Sequence, residues 1–287
     1  MNYCLINGVA TDYLSVDDRA IHYGDGLFET ILYQNRQLYF WPQHYLRLKQ
    51  SADKIKLTCP DESSLLGDIE NLLSEVEDEH AYAIKIIITR GSGQRGYQFP
   101  KKPTVTRVIT ISPIEIDYSS ILSRKLLSGD LAICEQQVSI NENLAGLKHL
   151  NRLENVLARN ESSIINNSNI VDGLMINANQ HVIECTMSNI FFVKDKILYT
   201  PKLNLSGVQG VMRDAIIATA INKNIDVSIS DMTTEMIKGM DEAFITNSLI
   251  GMKVVNHLAD TSFTRQNVTE DIFNTLLENK DSYVQVI

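Results

Sequence analysis

Period-2 and period-3.6 runs of apolar residues alternate along the chain, and they predict its elements. Phe28–Tyr33 and Gln37–Phe40 read as strands around the polar turn Gln34-Asn35-Arg36. Pro42 suits the first turn of a helix, which Tyr45, Leu48, Ala52 and Ile55 continue at helical spacing. Ser63–Leu73 predicts a second helix, Ala83–Thr89 a buried strand, and Val105–Ile111 a strand ending at Ser112-Pro113. The short polar segment Glu115–Ser120 follows. Ile133–Ile140 reads as a strand, and after the loop Asn141–Gly146 the pair Asn151 and Glu154 predicts a helix start. Asp172–Asn177, His181–Glu184, Asn189–Val193 and Ile197–Thr200 are expected as strands. A helix over about Val211–Lys223 follows, then strands Ile225–Ile229 and Glu242–Asn247 and a closing helix Val268–Asn279. The pattern is mixed α/β (α+β) with much antiparallel strand. It predicts a smaller N-terminal domain over 1–114, a connection over 115–120 and a larger domain over 121–287.

Composition narrows the function classes. The chain has 287 residues, 44% hydrophobic and 21% charged, ordinary for a globular protein. Its 26 basic residues face 35 acidic ones, for a formal charge of −9. An acidic chain without a long Lys/Arg run argues against nucleic acid or an anionic membrane as the main partner. No apolar run reaches the ~20 residues of a membrane span. Met1–Gly8 has neither the basic start nor the apolar core of a secretory leader. Cys4, Cys59, Cys134 and Cys185 are scattered and form no CxxC, so reduced thiols and a cytoplasmic location are expected. Asp17, Asp18 and Asp25 lie in what read as polar turns without metal-ligand spacing, and no metal site is expected.

Four segments bear on chemistry. Lys148, between Leu147 and Leu150, sits where a loop gives way to a helix. A partly desolvated lysine there loses basicity and suits Schiff-base or proton-transfer chemistry; a surface lysine at a loop end is the alternative. Gly91, Gly93 and Gly96 fit G-x-G-x-x-G after a strand, but Pro100 and Pro103 forbid the helix that a dinucleotide site needs. The same loop carries Arg90, Arg95 and Tyr97, able to meet a carboxylate, or is simply a surface connection. Gly207 and Gly210 precede a helix whose first N–H groups make an anion site, or are ordinary capping. Glu184 ends an apolar strand and is either solvated or a buried acid paired with a cationic ring nitrogen. Arg47 lies off the Tyr45/Leu48 face and by itself reads as a surface residue.

Together these segments resemble the fold-type IV pyridoxal-phosphate enzymes. The resemblance runs from Asp18 to Thr30 (DRAIHYGDGLFET), through Arg47 and the lysine segment, to Thr246-Asn247-Ser248. Within the family, RGSGQRGY (Arg90–Tyr97), AGLKHLNRLE (Ala145–Glu154) and GVQGVMR (Gly207–Arg213) are most similar to the aminodeoxychorismate lyases. The resemblance implies a two-domain enzyme with pyridoxal 5′-phosphate between the domains, the larger domain holding most of it. It implies that Lys148 binds the cofactor covalently and that Glu184 faces the pyridine nitrogen. Arg47, the N–H groups of Val211 and Met212 and the side chain of Asn247 would hold the phosphate. Arg95 and Tyr97 would meet a substrate carboxylate, and Thr30 would relay a proton beside Lys148. The implied reaction is elimination of pyruvate from 4-amino-4-deoxychorismate, in a homodimer. The rival reading is a D-amino-acid or branched-chain aminotransferase on the same fold, with a nicotinamide oxidoreductase or a non-catalytic binding protein further off.

Overall fold

A computed structural model describes residues 3–77 and 80–287. Met1 and Asn2, part of the stretch read for a leader, lie outside them. The chain separates into two compact units. One comprises Met1–Ile116, Lys148–Asn151 and Tyr283–Ile287; the other comprises Asp117–Leu147 and Arg152–Ser282. Lys148–Asn151 and Tyr283–Ile287, which fall within the 121–287 range of the expected second domain, are thus built into the first unit.

The first unit is a seven-stranded antiparallel sheet. Its order is Val284–Val286, Gln37–Tyr39, Gly26–Gln34, Ala81–Thr89, Thr106–Ile114, Tyr3–Ile6 and Val9–Ala10. Leu27, Ile31 and Tyr33 of one strand and Ile84, Ile86 and Ile88 of its neighbour bury one face. Helices Trp41–Lys54 and Glu62–Leu73 add Trp41, Leu48, Leu65 and Ile69 to that core. Ala81–Thr89 is therefore buried on one face only: Lys85 is exposed on the other. The strand Gln37–Tyr39 stops short of Phe40, whose φ of 58° turns the chain into the helix. Thr106–Ile114 runs on through Pro113, because pairing with Tyr3–Ile6 ends at Ile111 and only the Ala81–Thr89 side continues. Asp18 is buried, not in a solvated turn: it caps helix Arg19–Tyr23 at Ala20 N and accepts from the hydroxyls of Thr89 and Thr106.

The second unit holds a ten-stranded mixed sheet. Glu242–Asn247 and Asn189–Lys194 lie at its centre, and Phe191 and Phe244 stack with centroids 5.0 Å apart. Ile133–Ile140 is not one strand. The strand is Leu127–Ile133; beyond it the Glu161 carboxylate takes the N–H groups of Glu135 and Gln136 and turns the chain, leaving one isolated bridge at Val138. Leu127–Ile133 is hard to read because Gly129 and Asp130 interrupt it. Gly129 is required there, since a Cβ would sit 2.2 Å from Val171 Cγ1. The long strand Gly251–Leu258 is the other element the pattern did not announce. Asn151 and Glu154 do not form a capping pair. Helix Leu153–Arg159 starts without a side-chain cap, and Glu154 instead accepts from Ser139 N and Oγ.

One polar cluster sits inside the first unit. Glu29, 1% exposed in the middle of an apolar strand, accepts from Arg47 Nε at 2.8 Å and Arg47 Nη2 at 2.5 Å, and meets His44 Nδ1 at 2.6 Å. Burial alone would raise the Glu29 pKa; the Arg47 charge and the His44 contact outweigh it and hold the carboxyl at about 2. Burial keeps His44 neutral, its pKa lowered despite Glu29. Both groups act in the same direction with pH. As pH falls through 6.5 the unfolded chain protonates His44 while the native state resists, and from 4.5 toward 2 the Glu29 pairing is lost. Urea unfolding between pH 7 and pH 3 should therefore show stability falling, with Glu29 accounting for about 2 kcal/mol of the loss. In Glu29→Gln the part of that slope between pH 5 and 3 should flatten; an unchanged slope would refute the assignment.

Candidate active site

Lys148 is placed by backbone pairing. The edge of Gly26–Phe28 that faces away from Ala81–Thr89 is taken by Lys148–Leu150: Phe28 N donates to Lys148 O at 2.9 Å and Leu150 N to Gly26 O at 3.1 Å. Leu27 and His149 form the bridge between them. Lys148 then shares its sheet face with Phe28, and its Nζ lies 4.3 Å from the Phe28 ring centroid. Thr30, two residues on, points to the same face. Below the lysine, Asn151 Nδ2 donates to Gly24 O at 3.2 Å. Gly24 caps helix Arg19–Tyr23 at a φ of 59° and leaves no room for a Cβ, which would stand 2.4 Å from Asn151 Oδ1.

The residue before the lysine belongs to the second unit, and there the loop is laddered. Gly146 N donates to Gly207 O at 2.9 Å, and Gln209 N donates to Gly146 O at 3.0 Å. Arg152 Nη2 donates to Leu147 O at 2.6 Å and closes the loop from the other side. Between Gly207 and Gln209, Val208 N donates to Glu184 Oε2 at 2.8 Å. Glu184 is 4% exposed at the end of His181–Cys185, so it is a buried, oriented carboxylate and not a solvated strand end. Gly207, at a φ of 84°, packs so tightly that a Cβ would lie 2.7 Å from Ile183 Cγ2.

Gly210 then caps helix Val211–Asn222. A Cβ on Gly210 would stand 2.0 Å from Asn189 Oδ1, while Asn189 Nδ2 donates to Val208 O at 2.9 Å. The first-turn N–H groups, those of Val211 and Met212 among them, have no partners inside the helix, so this cradle of backbone N–H suits a phosphate. Arg47 is in the first unit and is not a loose surface group: Glu29 holds it bidentately.

Asn247 and the Arg90–Tyr97 loop depart from the expected picture. The Asn247 carboxamide donates to Met187 O and Ser188 Oγ and accepts from Leu249 N and Ile250 N. Those four bonds use its full capacity, so it shapes the turn and the 187–188 loop, and its side chain has no donor left over for a phosphate. Arg90 is buried, with its guanidinium on Asp25 and on the carbonyls of Ile55 and Lys56, and is unavailable to a ligand. Arg95 and Tyr97 are exposed, Tyr97 at 86%. The loop that carries them is fixed by Arg19, which donates to the carbonyls of Gly96, Tyr97 and Gln98. Cys185, beside Glu184, is buried, and burial pushes its thiol well above the ordinary range, which makes it inert.

Glu29, His44, Arg19 and Asn189 are site-building residues that sequence reasoning missed. Glu29 alone left a signal: a carboxylate at an inward position of an apolar strand.

Comparison with known proteins places this geometry. The chain is 35% identical over 254 residues to an aminodeoxychorismate lyase of Vibrio harveyi, covering 88% of this chain and 90% of the relative. It is 26% identical over 269 residues to a D-alanine aminotransferase of Listeria innocua, covering 92% and 90%. Among solved structures, a 4-amino-4-deoxychorismate lyase from Pseudomonas aeruginosa superposes with a TM-score of 0.86 at 30% identity, covering 97% of this chain and 99% of that one. The amino-transferase class IV family model matches residues 26–258, from the strand that carries Phe28 to the end of Gly251–Leu258, and the chain belongs to that family.

Proposed function

We propose that the chain is a pyridoxal-phosphate-dependent 4-amino-4-deoxychorismate lyase that releases 4-aminobenzoate and pyruvate. The observation that carries this reading is the ladder of Gly146 with Gly207 and Gln209. It ties the loop that runs up to Leu147 to the loop that orients Glu184 and opens the glycine-led helix, so the chain just before Lys148, the acid and the cradle share one backbone brace within the second unit. The fit is tight at Gly210, where the cradle excludes a side chain. The lyase relatives supply the choice of reaction.

When bound, pyridoxal 5′-phosphate supplies an electron sink for the charge left by removing a proton next to an amine. Lys148 would hold the cofactor covalently, and Glu184, fixed by Val208 N–H, would face the ring nitrogen and favour its protonated form. Arg47 and the N–H groups of Val211 and Met212 would take the phosphate, with Asn247 shaping the adjacent turn. The Lys148 amine removes the proton from the amine-bearing carbon of the substrate. The ring C–O bond to the enolpyruvyl group breaks, and Lys148 returns the proton to the methylene carbon as pyruvate forms. Thr30, on the same face as Lys148, relays that proton. Arg95 and Tyr97 meet a substrate carboxylate from a loop whose shape Arg19 maintains.

The enzyme works as a cytoplasmic homodimer in this reading. Leu153, Val156 and Leu157, at 70%, 54% and 52% exposure, place three large apolar side chains on one short helix, the kind of patch that an interface covers. Among the described residues no helix is long and apolar enough to cross a membrane.

Purified enzyme given aminodeoxychorismate and no keto acid should release 4-aminobenzoate and pyruvate in equal amounts; Lys148→Ala should lose the absorbance of the bound cofactor and turn over at least about 10³-fold more slowly. A requirement for keto acid would indicate an aminotransferase instead. Fluorescence titration of Gly210→Ala with pyridoxal 5′-phosphate should show affinity reduced at least about tenfold. Gly67→Ala, on a helix where the new methyl meets nothing within 4 Å, should bind as the wild type does. Sedimentation should give a dimer that Leu153→Glu weakens; a monomer throughout would remove the dimer from the reading.

A further inference from the structure

Lys148 is the first residue of a short excursion. The chain leaves the second unit after Leu147, spends Lys148–Asn151 in the first, and returns at Arg152. The two ends of that excursion are tied together: Arg152 Nη2 donates to Leu147 O at 2.6 Å, five residues back. The Leu147 carbonyl belongs to the planar peptide group that carries the Lys148 N–H. On the other side of the lysine, Lys148 O accepts from Phe28 N at 2.9 Å. Both peptide planes that flank the Lys148 Cα are therefore held, one by a guanidinium and one by a strand.

The grip comes from the start of one helix. Leu153–Arg159 begins without a side-chain cap of its own, and the polar residues around its first turn are turned to neighbouring loops instead. Glu154 accepts from Ser139 N and Oγ at 2.9 and 2.7 Å, and Ser139 O accepts from Ser206 Oγ at 2.8 Å, so the beginning of the lysine loop is fixed as well. Asn155 Nδ2 donates to Thr186 O at 3.1 Å, two residues beyond Glu184. Of the three, the Arg152 contact is the one that reaches the peptide carrying the lysine. A charged donor makes a shorter and stronger bond to a carbonyl than a neutral one. The planar guanidinium also loses less freedom per bond than an ammonium. A rotation of the Leu147–Lys148 peptide swings the whole lysine side chain, and a displacement of about 1 Å at a reacting atom costs on the order of a hundredfold in rate.

We propose that Arg152 is a positioning residue for Lys148: by holding the Leu147 carbonyl it fixes the base of the lysine side chain, so that Nζ meets first the cofactor aldehyde and later the substrate proton from one place. In the first of these steps a C=N bond forms between Nζ and the aldehyde carbon, and two Nζ hydrogens leave with the aldehyde oxygen as water. Arg152 acts through the backbone and takes no part in the bonds exchanged. The inference rests on the reading of Lys148 as the cofactor lysine and adds to it what sets that lysine's geometry.

The test reads bond formation apart from turnover, on full-length enzyme stripped of cofactor. Mixed with pyridoxal 5′-phosphate, Arg152→Met should gain the absorbance of the bound cofactor at least about tenfold more slowly than the wild type. Arg152→Lys, which keeps one charged donor, should be at least about threefold faster than Arg152→Met. Pyridoxine 5′-phosphate has an alcohol in place of the aldehyde and cannot bond to the lysine. All three proteins should bind it within about twofold of one another, because the acid and the helix cradle are untouched. In the loaded enzyme, kcat for aminodeoxychorismate should fall at least about tenfold in Arg152→Met while KM changes less than about threefold. If Arg152→Met matches the wild type in both rates, the proposal is overturned and the lyase reading stands. Binding of pyridoxine 5′-phosphate weakened by the same factor as the rates also overturns it, since Arg152 would then support the whole site and not the lysine. If Lys148→Ala gains the absorbance as fast as the wild type, the lysine assignment fails and the inference falls with it.

Discussion

The candidate site depends on one short stretch of backbone pairing. Gly146 gives its N–H to Gly207 and takes one from Gln209, and neither bond involves a side chain. The residue between those partners, Val208, is the donor that orients Glu184. The residue two positions after Gly146 is the lysine. Because the brace is made of peptide groups, it does not rely on rotamers, and the acid and the helix cradle are set with little conformational freedom to lose on binding. The glycines are there for geometry: Gly146 and Gly207 adopt positive φ, and Gly210 has Asn189 where a side chain would go.

The first unit uses a different device. Its site residues hang on the strand Gly26–Gln34, whose two faces have separate tasks. The inward face places Glu29 under Arg47, a buried carboxylate that is tolerated because the guanidinium fork and a neutral histidine satisfy it. The outward face offers Phe28 and Thr30, with Lys85 across from them. A one-residue slip of this strand would exchange the two faces and destroy both functions at once. Full-length pairing with Ala81–Thr89 opposes such a slip, and Lys148–Leu150 occupies the remaining edge.

Much of this was legible in the chain. Apolar periodicity located the helices Trp41–Lys54, Glu62–Leu73, Val211–Asn222 and Asn267–Glu278, and it found the strand Glu242–Asn247 to the residue. The mixed α/β class followed from the alternation of strand and helix patterns, and the family from the lysine, acid and glycine segments read together. What stayed hidden depends on neighbours distant in sequence. Leu127–Ile133 contains a glycine that only Val171 explains. Asp18 looks like a turn residue until Thr89 and Thr106 are seen to enclose it. Arg90 looks like a ligand-binding arginine until Asp25 is found on it, and Asn247 like a phosphate contact until its amide is counted as fully bonded. Lys85 sits in a run of isoleucines that reads as buried, and only strand pairing shows that it faces outward beside Phe28.

The close approach of Gly24 to Asn151 carries a consequence for the chain's history. A side chain at position 24 would collide with the Asn151 amide, and a shorter residue at 151 would leave the Gly24 carbonyl with the Gly26 N–H as its remaining donor. Neither position is free to drift alone. Any lineage that abandons one must pass through a damaged intermediate or change both together, and the two sites, 127 residues apart, would then vary as a pair.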